Sequence, residues 1–109
     1  MEIRLGDLEA KVLYSVVHCG DDAYGVSISD TIQERTGEQV AMGAIYATLD
    51  RLELKGLLRS WWSEPGSERG GRRKRLFEIT GAGKEALREY DQRFLRIRAG
   101  WSVALQEGL

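Results

Sequence analysis

The order of the apolar repeats along this chain limits its fold more than any other feature. Three stretches with helical spacing come first, two short alternating stretches follow, and one long helical stretch ends the sequence. Apolar residues that recur every three to four positions line one face of an amphipathic helix, whereas residues that alternate line one face of a strand. The sequence therefore predicts three helices, a two-stranded ribbon and a final helix.

Glycines and short polar residues mark the expected ends of the first three helices. Gly20, Gly37 and Gly56 stand where each apolar repeat stops, and glycine commonly ends a helix at that position. Asp21 or Asp22 is the expected N-cap of the second helix, because a short carboxylate can accept from the first free amides. The helices are expected over residues 6–19, 23–36 and 43–55.

The second half of the chain predicts a hairpin. Strands are expected over residues 57–63 and 73–79, and the turn between them holds Pro65, the only proline. Three helices followed by a two-stranded ribbon is the order of a winged helix-turn-helix, whose recognition helix enters the major groove of DNA. The expected fold class is therefore mainly α (α+β), a winged helix-turn-helix with a long C-terminal helix.

The final helix carries an apolar seam with the spacing of a coiled coil. Thr80 can cap this helix, which is expected over residues 81–106 and would be about 39 Å long. The seam consists of Leu87, Tyr90, Phe94, Ile97, Trp101 and Ala104. Its first turns can fold back on the domain, but a second copy of the chain is the expected cover for the rest. The sequence thus predicts a DNA-binding domain over residues 1–80 and a dimerisation helix over residues 81–109 in a homodimer.

Positive charge is concentrated in one quarter of the chain. The net charge is −1 overall, but it is −6 over residues 1–50, +5 over residues 51–75 and 0 over residues 76–109. Local fields, rather than the total, decide whether a polyanion binds. The cationic quarter contains the segment Arg69-Gly70-Gly71-Arg72-Arg73-Lys74-Arg75. Glycine allows close approach of the backbone and arginine suits phosphate, so this segment is typical of a hairpin tip that contacts a nucleic-acid backbone.

Composition excludes several other classes of protein. With 42% hydrophobic and 30% charged residues the chain is expected to be globular, and no apolar run has the length of a membrane span or a signal peptide. Cys19 and His18 are the only cysteine and histidine, too few for a disulfide or a metal site. No paired set of catalytic side chains is present. We expect a cytoplasmic protein that is not an enzyme and needs no metal or cofactor.

Several short motifs, in order, resemble the PadR family of bacterial transcriptional regulators. They are Leu5-Gly6-Asp7-Leu8-Glu9, Tyr24-Gly25, the segment 43–53, Lys55-Gly56-Leu57, Gly70-Gly71-Arg72-Arg73 and Thr80-Gly81-Ala82-Gly83. With one long helix after the wing, the chain resembles the compact PadR subfamily. The resemblance implies a dimeric repressor on a two-fold symmetric operator, relieved in several members by a small aromatic or cationic compound or by a protein partner. Met42 stands near where the family often has a hydroxyl residue, so a DNA phosphate is expected to take the place of the missing cap.

The third helix supplies the first group of candidate DNA contacts. They are Met42, Gly43, Ala44, Tyr46, Ala47, Thr48 and Arg51. Tyr46 and Thr48 can donate to phosphates, and Thr48 can also touch a thymine methyl group. An equal alternative for Tyr46 is a core aromatic with its hydroxyl at the surface. Arg51 can reach a phosphate or pair with Asp50 or Glu53.

The wing supplies the second group. These candidate contacts to double-stranded DNA are Arg69, Gly70, Gly71, Arg72, Arg73 and Lys74. Strand alternation places Arg75 on the same face as Phe77 and Ile79. Arg75 can therefore extend over the core instead of contacting DNA.

A small aromatic effector is the remaining candidate partner. Phe94, Ile97 and Trp101 would meet their mates near a two-fold axis and could leave a slot for a flat ligand. The alternative, which we favour for Trp101, is packing in the dimer core, because aromatic residues at heptad spacing are usually core residues.

A different class of function also fits the wing. Trp61, Trp62 and the basic hairpin could bind an acidic protein, which would make the chain a winged-helix interaction module. The charge shared by the wing and the third helix favours DNA over this alternative.

Overall fold

The computed structural model describes residues 3–64, 73–101 and 106, and within them the predicted order of elements is confirmed. The elements are α1 Asp7–Cys19, a short 3-10 helix Gly20–Asp22, α2 Gly25–Thr36, α3 Met42–Leu54, β1 Leu58–Trp62, β2 Arg75–Ile79 and α4 Gly81–Arg98. The two strands form one antiparallel sheet. The chain is thus a mainly helical protein with a small hairpin, as the sequence predicts.

One apolar core joins the first three helices to the ribbon. Its largest fully buried side chains are Leu13, Ile28, Ile32, Ile45, Leu49, Leu52, Leu57 and Phe77. Each large side chain of this kind stabilises the fold by about 1.5–3 kcal/mol. Phe77 ties the ribbon to the helices, because its side chain lies in this core and its backbone amide donates to the carbonyl of Ala23 at 2.9 Å.

The register of the ribbon decides which side chains face the helices. Ser60 lies opposite Phe77, and Trp62 lies opposite Arg75. Because side chains alternate along a strand, these four residues share the face that turns toward the core. Trp61 therefore points to the other face of the ribbon.

Two predicted helix caps have different outcomes. Thr80 caps α4 as expected, and its Oγ1 accepts from the amide of Gly83 at 3.1 Å. The prediction for α2 is wrong, because Asp21 and Asp22 are taken up in the 3-10 helix. The N-cap of α2 is Tyr24 instead, whose amide donates to Ser27 Oγ at 3.0 Å.

The final helix is shorter than the sequence predicts. It ends at Arg98, whereas the apolar spacing extends it to about residue 106. Ala99 is extended and Gly100 has a φ of 84°, a left-handed conformation that glycine tolerates and that ends a helix. The seam is therefore continuous from Leu87 to Ile97 and is interrupted before Trp101, while Ala104 lies outside the described residues.

Among the described residues, no helix has both the length and the apolar character needed to span a membrane. The same residues contain no group of three or more histidine, cysteine or acidic side chains arranged to hold a metal ion.

Close packing at the start of α4 gives a test of the fold. A Cβ atom added at Gly83 would lie 2.2 Å from the backbone oxygen of Leu57, whereas one added at Gly81 would meet nothing within 4 Å. We expect Gly83→Ala to lower the free energy of unfolding by about 1–3 kcal/mol, because the backbone must move to admit the methyl group. Urea denaturation followed by circular dichroism measures this loss, and Gly81→Ala is the matched control. Equal stability of the two variants would show that α4 does not pack on the start of β1 as described.

Candidate nucleic-acid interface

The first two turns of α3 present a bare surface. Gly43, Ala44 and Ala47 are exposed, and Met42 is 36% exposed. The helix begins after Ala41 without a side-chain hydrogen bond to its first amides. Amides at the start of a helix that have no side-chain cap are a favourable site for an anion. The missing side-chain cap agrees with the expectation drawn from Met42, and the phosphate at this end of α3 stays a prediction.

Tyr46 is partly packed against the core, and its contact with DNA stays a prediction. A Cβ atom added at Gly25 of α2 would lie 2.3 Å from the Tyr46 hydroxyl oxygen, so the ring packs closely on that helix. The side chain nevertheless stays 40% exposed. Tyr46 thus lies at the edge of the core, and the exposed part of its side chain could contact a molecule bound at α3.

Thr48 is not available to DNA, and its prediction as a contact is wrong. It is only 1% exposed, and its hydroxyl donates to the carbonyl oxygen of Ala44 at 2.8 Å. The cause is its position on the helix, since Thr48 follows Ile45 by three residues and lies beside Leu49 on the buried face.

Arg51 is 53% exposed but pairs with neither carboxylate that the sequence suggested. Its nearest described acidic partner is Glu9 of α1, at 3.6 Å between Nε and Oε2. Glu9 also accepts from Lys55 Nζ at 2.7 Å and from the amide of Gly6 at 2.9 Å. Glu9 is 7% exposed, so a nearly buried carboxylate of α1 holds Arg51 of α3 and Lys55, the residue that follows α3.

The apolar spacing of the sequence does not indicate this role of Glu9, but the position of Glu9 in α1 does. Glu9 is the third residue of α1, where a glutamate can reach back to the residue before the helix, here Gly6. Burial raises the pKa of Glu9, but the hydrogen bonds from Gly6 and Lys55 and the charges of Lys55 and Arg51 together outweigh it. The pKa of Glu9 consequently lies below its ordinary value of 4.5.

The base of the wing contains two of the predicted contacts, which lie in different surroundings. Arg73 is exposed. Lys74 turns instead toward the connection between α1 and α2, where Nζ lies 4.1 Å from the centre of the Tyr24 ring and 3.4 Å from Asp22 Oδ1. The other predicted wing contacts, Arg69, Gly70, Gly71 and Arg72, lie outside the described residues.

Arg75 extends over the core, which confirms that prediction. Its guanidinium carbon lies 4.9 Å from the centre of the Phe77 ring. Nη1 donates to Asp50 at 2.9 Å and Nη2 to Glu53 at 2.8 Å, so the arginine also joins the wing to α3.

The two tryptophans of the ribbon are exposed on its opposite faces. Trp61 is 40% exposed and Trp62 is 60% exposed. On the outer face, the Arg59 guanidinium lies 5.4 Å from the Trp61 ring and Nε donates to Glu78 at 2.6 Å. Arg59 and Glu78 both belong to the ribbon, so their ion pair does not connect the ribbon to α3.

The two halves of the α4 seam differ in burial. Leu87 lies in the core and Tyr90 packs against it, and Tyr14 of α1 donates to Asp91 at 3.5 Å. Further along, Phe94 is 54% exposed and Ile97 is 82% exposed. The first turns of α4 therefore fold back on the domain, while the later turns leave apolar side chains uncovered.

A helix-turn-helix pair with a bare third helix and an adjacent two-stranded wing defines a winged helix-turn-helix regulator. Residues 12–89 match the model of the transcriptional regulator PadR-like family. Because this match covers more than half of the chain, the protein belongs to the PadR-like family and is a transcriptional regulator rather than an enzyme.

Solved structures of the same fold support this assignment. A PadR family transcription regulator from Clostridium difficile R20291 is 27% identical with a TM-score of 0.76, and the match covers 92% of this chain and 99% of that one. A PadR-like regulator from Bacillus cereus is 25% identical with a TM-score of 0.73, over 91% of each chain. The PadR protein of Bacillus subtilis, solved in complex with operator DNA, has a TM-score of 0.64 at 21% identity, over 77% of this chain and 46% of that one.

The carboxylate of Glu9 makes the link between α1 and α3 sensitive to pH. The pKa of Glu9 is lower in the folded chain than in the unfolded chain, where it is near 4.5. The contribution of Glu9 to the free energy of unfolding is therefore complete above the pKa of the unfolded chain and is lost as the pH falls through the pKa of the folded chain. We expect Glu9→Gln to cost about 1.5–3 kcal/mol at neutral pH, as for other hydrogen bonds to a charged group.

Urea denaturation over a range of pH tests this expectation. The gap in stability between the wild type and Glu9→Gln should shrink as the pH falls below about 4.5. Glu34→Gln, at an exposed position of α2, is the control and should show no large gap at any pH. A gap for Glu9→Gln that does not depend on pH would contradict the role of the charge.

Proposed function

We propose that the chain acts as a homodimer that binds a two-fold symmetric operator and represses transcription. In this proposal α3 enters the major groove and the wing contacts the adjacent phosphates. The observation that carries it is one helix, α3, that has an uncapped, bare start and whose second half Arg75 joins to the base of the wing. The operator complex of Bacillus subtilis PadR, which has the same fold, supports DNA as the partner.

The expected contacts divide by their role. Met42, Gly43, Ala44 and Ala47 allow α3 to approach the groove closely, and Tyr46 can reach a phosphate from the edge of the core. Small side chains carry few base contacts, so the shape of the DNA would contribute to sequence preference. The charge of Arg73 and of the wing residues before it would provide affinity independent of sequence.

The exposed later turns of α4 support the homodimer. Phe94, Leu95 and Ile97 are 54%, 43% and 82% exposed. Apolar side chains that are this exposed and this close together on one helix are a typical contact surface between chains. The small aromatic effector stays a prediction. Trp101, at 53% exposed, adds an aromatic surface on which a flat ligand could stack once two copies meet.

The salt dependence of DNA binding tests the wing. We expect Arg72→Ala/Arg73→Ala to weaken binding to all duplex sequences and to flatten the plot of log affinity against log salt. The slope should fall by up to about 3.6 in a dimer, since each of four lost phosphate contacts contributes about 0.9.

Fluorescence anisotropy with a labelled duplex at several salt concentrations measures this slope. Arg88→Ala is the control, because Arg88 pairs with Glu85 on α4 and lies outside the wing. A slope that is unchanged in the double variant would remove the wing from the interface. Failure of the wild type to bind any duplex would favour the protein-interaction alternative.

Oligomeric state tests the dimer. Ile97→Asp should shift the protein to a monomer in sedimentation velocity, because a charge would be buried in the contact between two copies of α4. Leu54→Asp is a matched control, since Leu54 is 88% exposed on α3 and Ile97 is 82% exposed on α4. A dimer that persists in Ile97→Asp, or that is lost equally in both variants, would place the contact elsewhere.

A further inference from the structure

We propose that Arg75 is a positioning residue that sets the wing relative to α3 and thereby controls DNA binding without touching DNA. This inference rests on the proposed function for its effect on DNA binding. The position of the ribbon relative to α3 can be measured without DNA, so the positioning role and the proposed function can be refuted separately.

Every nitrogen of the Arg75 guanidinium has a partner within the protein. Nη1 lies 2.9 Å from Asp50, Nη2 lies 2.8 Å from Glu53, and Nε lies 3.3 Å from Ser60 Oγ. Ser60 Oγ in turn donates to Glu53 at 2.7 Å, which closes the network between α3 and both strands. A planar fork can hold two carboxylates and a hydroxyl at once, whereas the single ammonium of lysine cannot.

The arrangement fixes both the distance and the angle between the two elements. Asp50 and Glu53 are three residues apart along α3, just under one turn, with a rise of about 4.5 Å between them. Arg75 is the first residue of β2 and follows Arg73 by two positions. A contact with two carboxylates spaced along α3 therefore limits rotation as well as translation of the start of β2.

The network also acts on the charge of the interface. Asp50 and Glu53 belong to the helix proposed to enter the groove, and their side chains are 58% and 36% exposed. Unpaired carboxylates at this place would repel phosphates. Arg75 offsets part of their charge, so its removal would both release the wing and leave the two carboxylates unpaired.

A direct contact between Arg75 and phosphate fits the structure less well. The Arg75 side chain is 28% exposed and packs over the Phe77 ring, with its guanidinium carbon 4.9 Å from the ring centre. Arg59 provides a matched comparison on the opposite face of the same ribbon. It also forms an ion pair and contacts an aromatic ring, but its partner Glu78 belongs to the ribbon and not to α3.

Binding of a mixed-sequence synthetic DNA duplex is the first measurement. We expect Arg75→Met to weaken binding about tenfold, within the range of coupling energies for residues in one charge network. Arg59→Met should leave the affinity unchanged. Arg75→Lys keeps the charge and the chain over Phe77 and should restore part of the affinity, and it also serves if Arg75→Met does not fold.

A double-mutant cycle separates the two roles of Arg75. If it acts through the carboxylates, Arg75→Met should cost little further affinity in the Asp50→Asn/Glu53→Gln background. If it contacts phosphate, the loss should be equal in both backgrounds. The second result would overturn the proposal.

Residual dipolar couplings of backbone amides in the DNA-free protein measure the position of the ribbon directly. In Arg75→Met the couplings of β1 and β2 should change relative to those of α3, and in Arg59→Met they should not. Unchanged couplings in Arg75→Met would overturn the positioning role whether or not DNA binds. Changed couplings in a chain whose wild type binds no duplex would support the positioning role and refute the proposed function.

Discussion

The third helix can leave one face bare only because its opposite face is completely buried. Ile45, Leu49 and Leu52 are each 0% exposed, and Thr48 is 1% exposed with its hydroxyl bonded within the helix. This stripe fixes the rotation of α3 about its axis, since any turn would bring an apolar side chain into water at a cost of about 1.5–3 kcal/mol. The small side chains on the other face are consequently held outward.

Charged residues then hold the second half of α3 on two sides. Glu9 of α1 binds Arg51 and Lys55, and Arg75 of the wing binds Asp50 and Glu53. On the side of α1 the carboxylate of Glu9 binds two cations, and on the side of the wing the cation of Arg75 binds two carboxylates. Because the charges are opposite, Glu9 and Arg75 can each pair only with one edge of α3. A change in the position of α1, which also contacts α4, would therefore reach α3 through Glu9.

The sequence predicts the elements of this fold whose apolar residues are buried at regular spacing. It does not predict the position of a side chain that is decided by a specific hydrogen bond or ion pair. The element order and most boundaries follow from apolar spacing. The hydroxyl of Thr48 favours a surface position in the sequence, but in the structure it bonds back to Ala44 and lies in the core. The acidic partner of Arg51 is Glu9 of another helix, and spacing along the chain does not indicate a pair so far apart in sequence.

Gly100 separates the end of the chain from the axis of α4. A heptad repeat places residues on one face only along an unbroken helix. The left-handed conformation of Gly100 breaks the helix, so the repeat cannot be continued past it. The helical phase of α4 therefore does not carry over from Phe94 and Ile97 to Trp101. A substitution at Trp101 would accordingly leave the alignment of the apolar side chains on α4 unchanged.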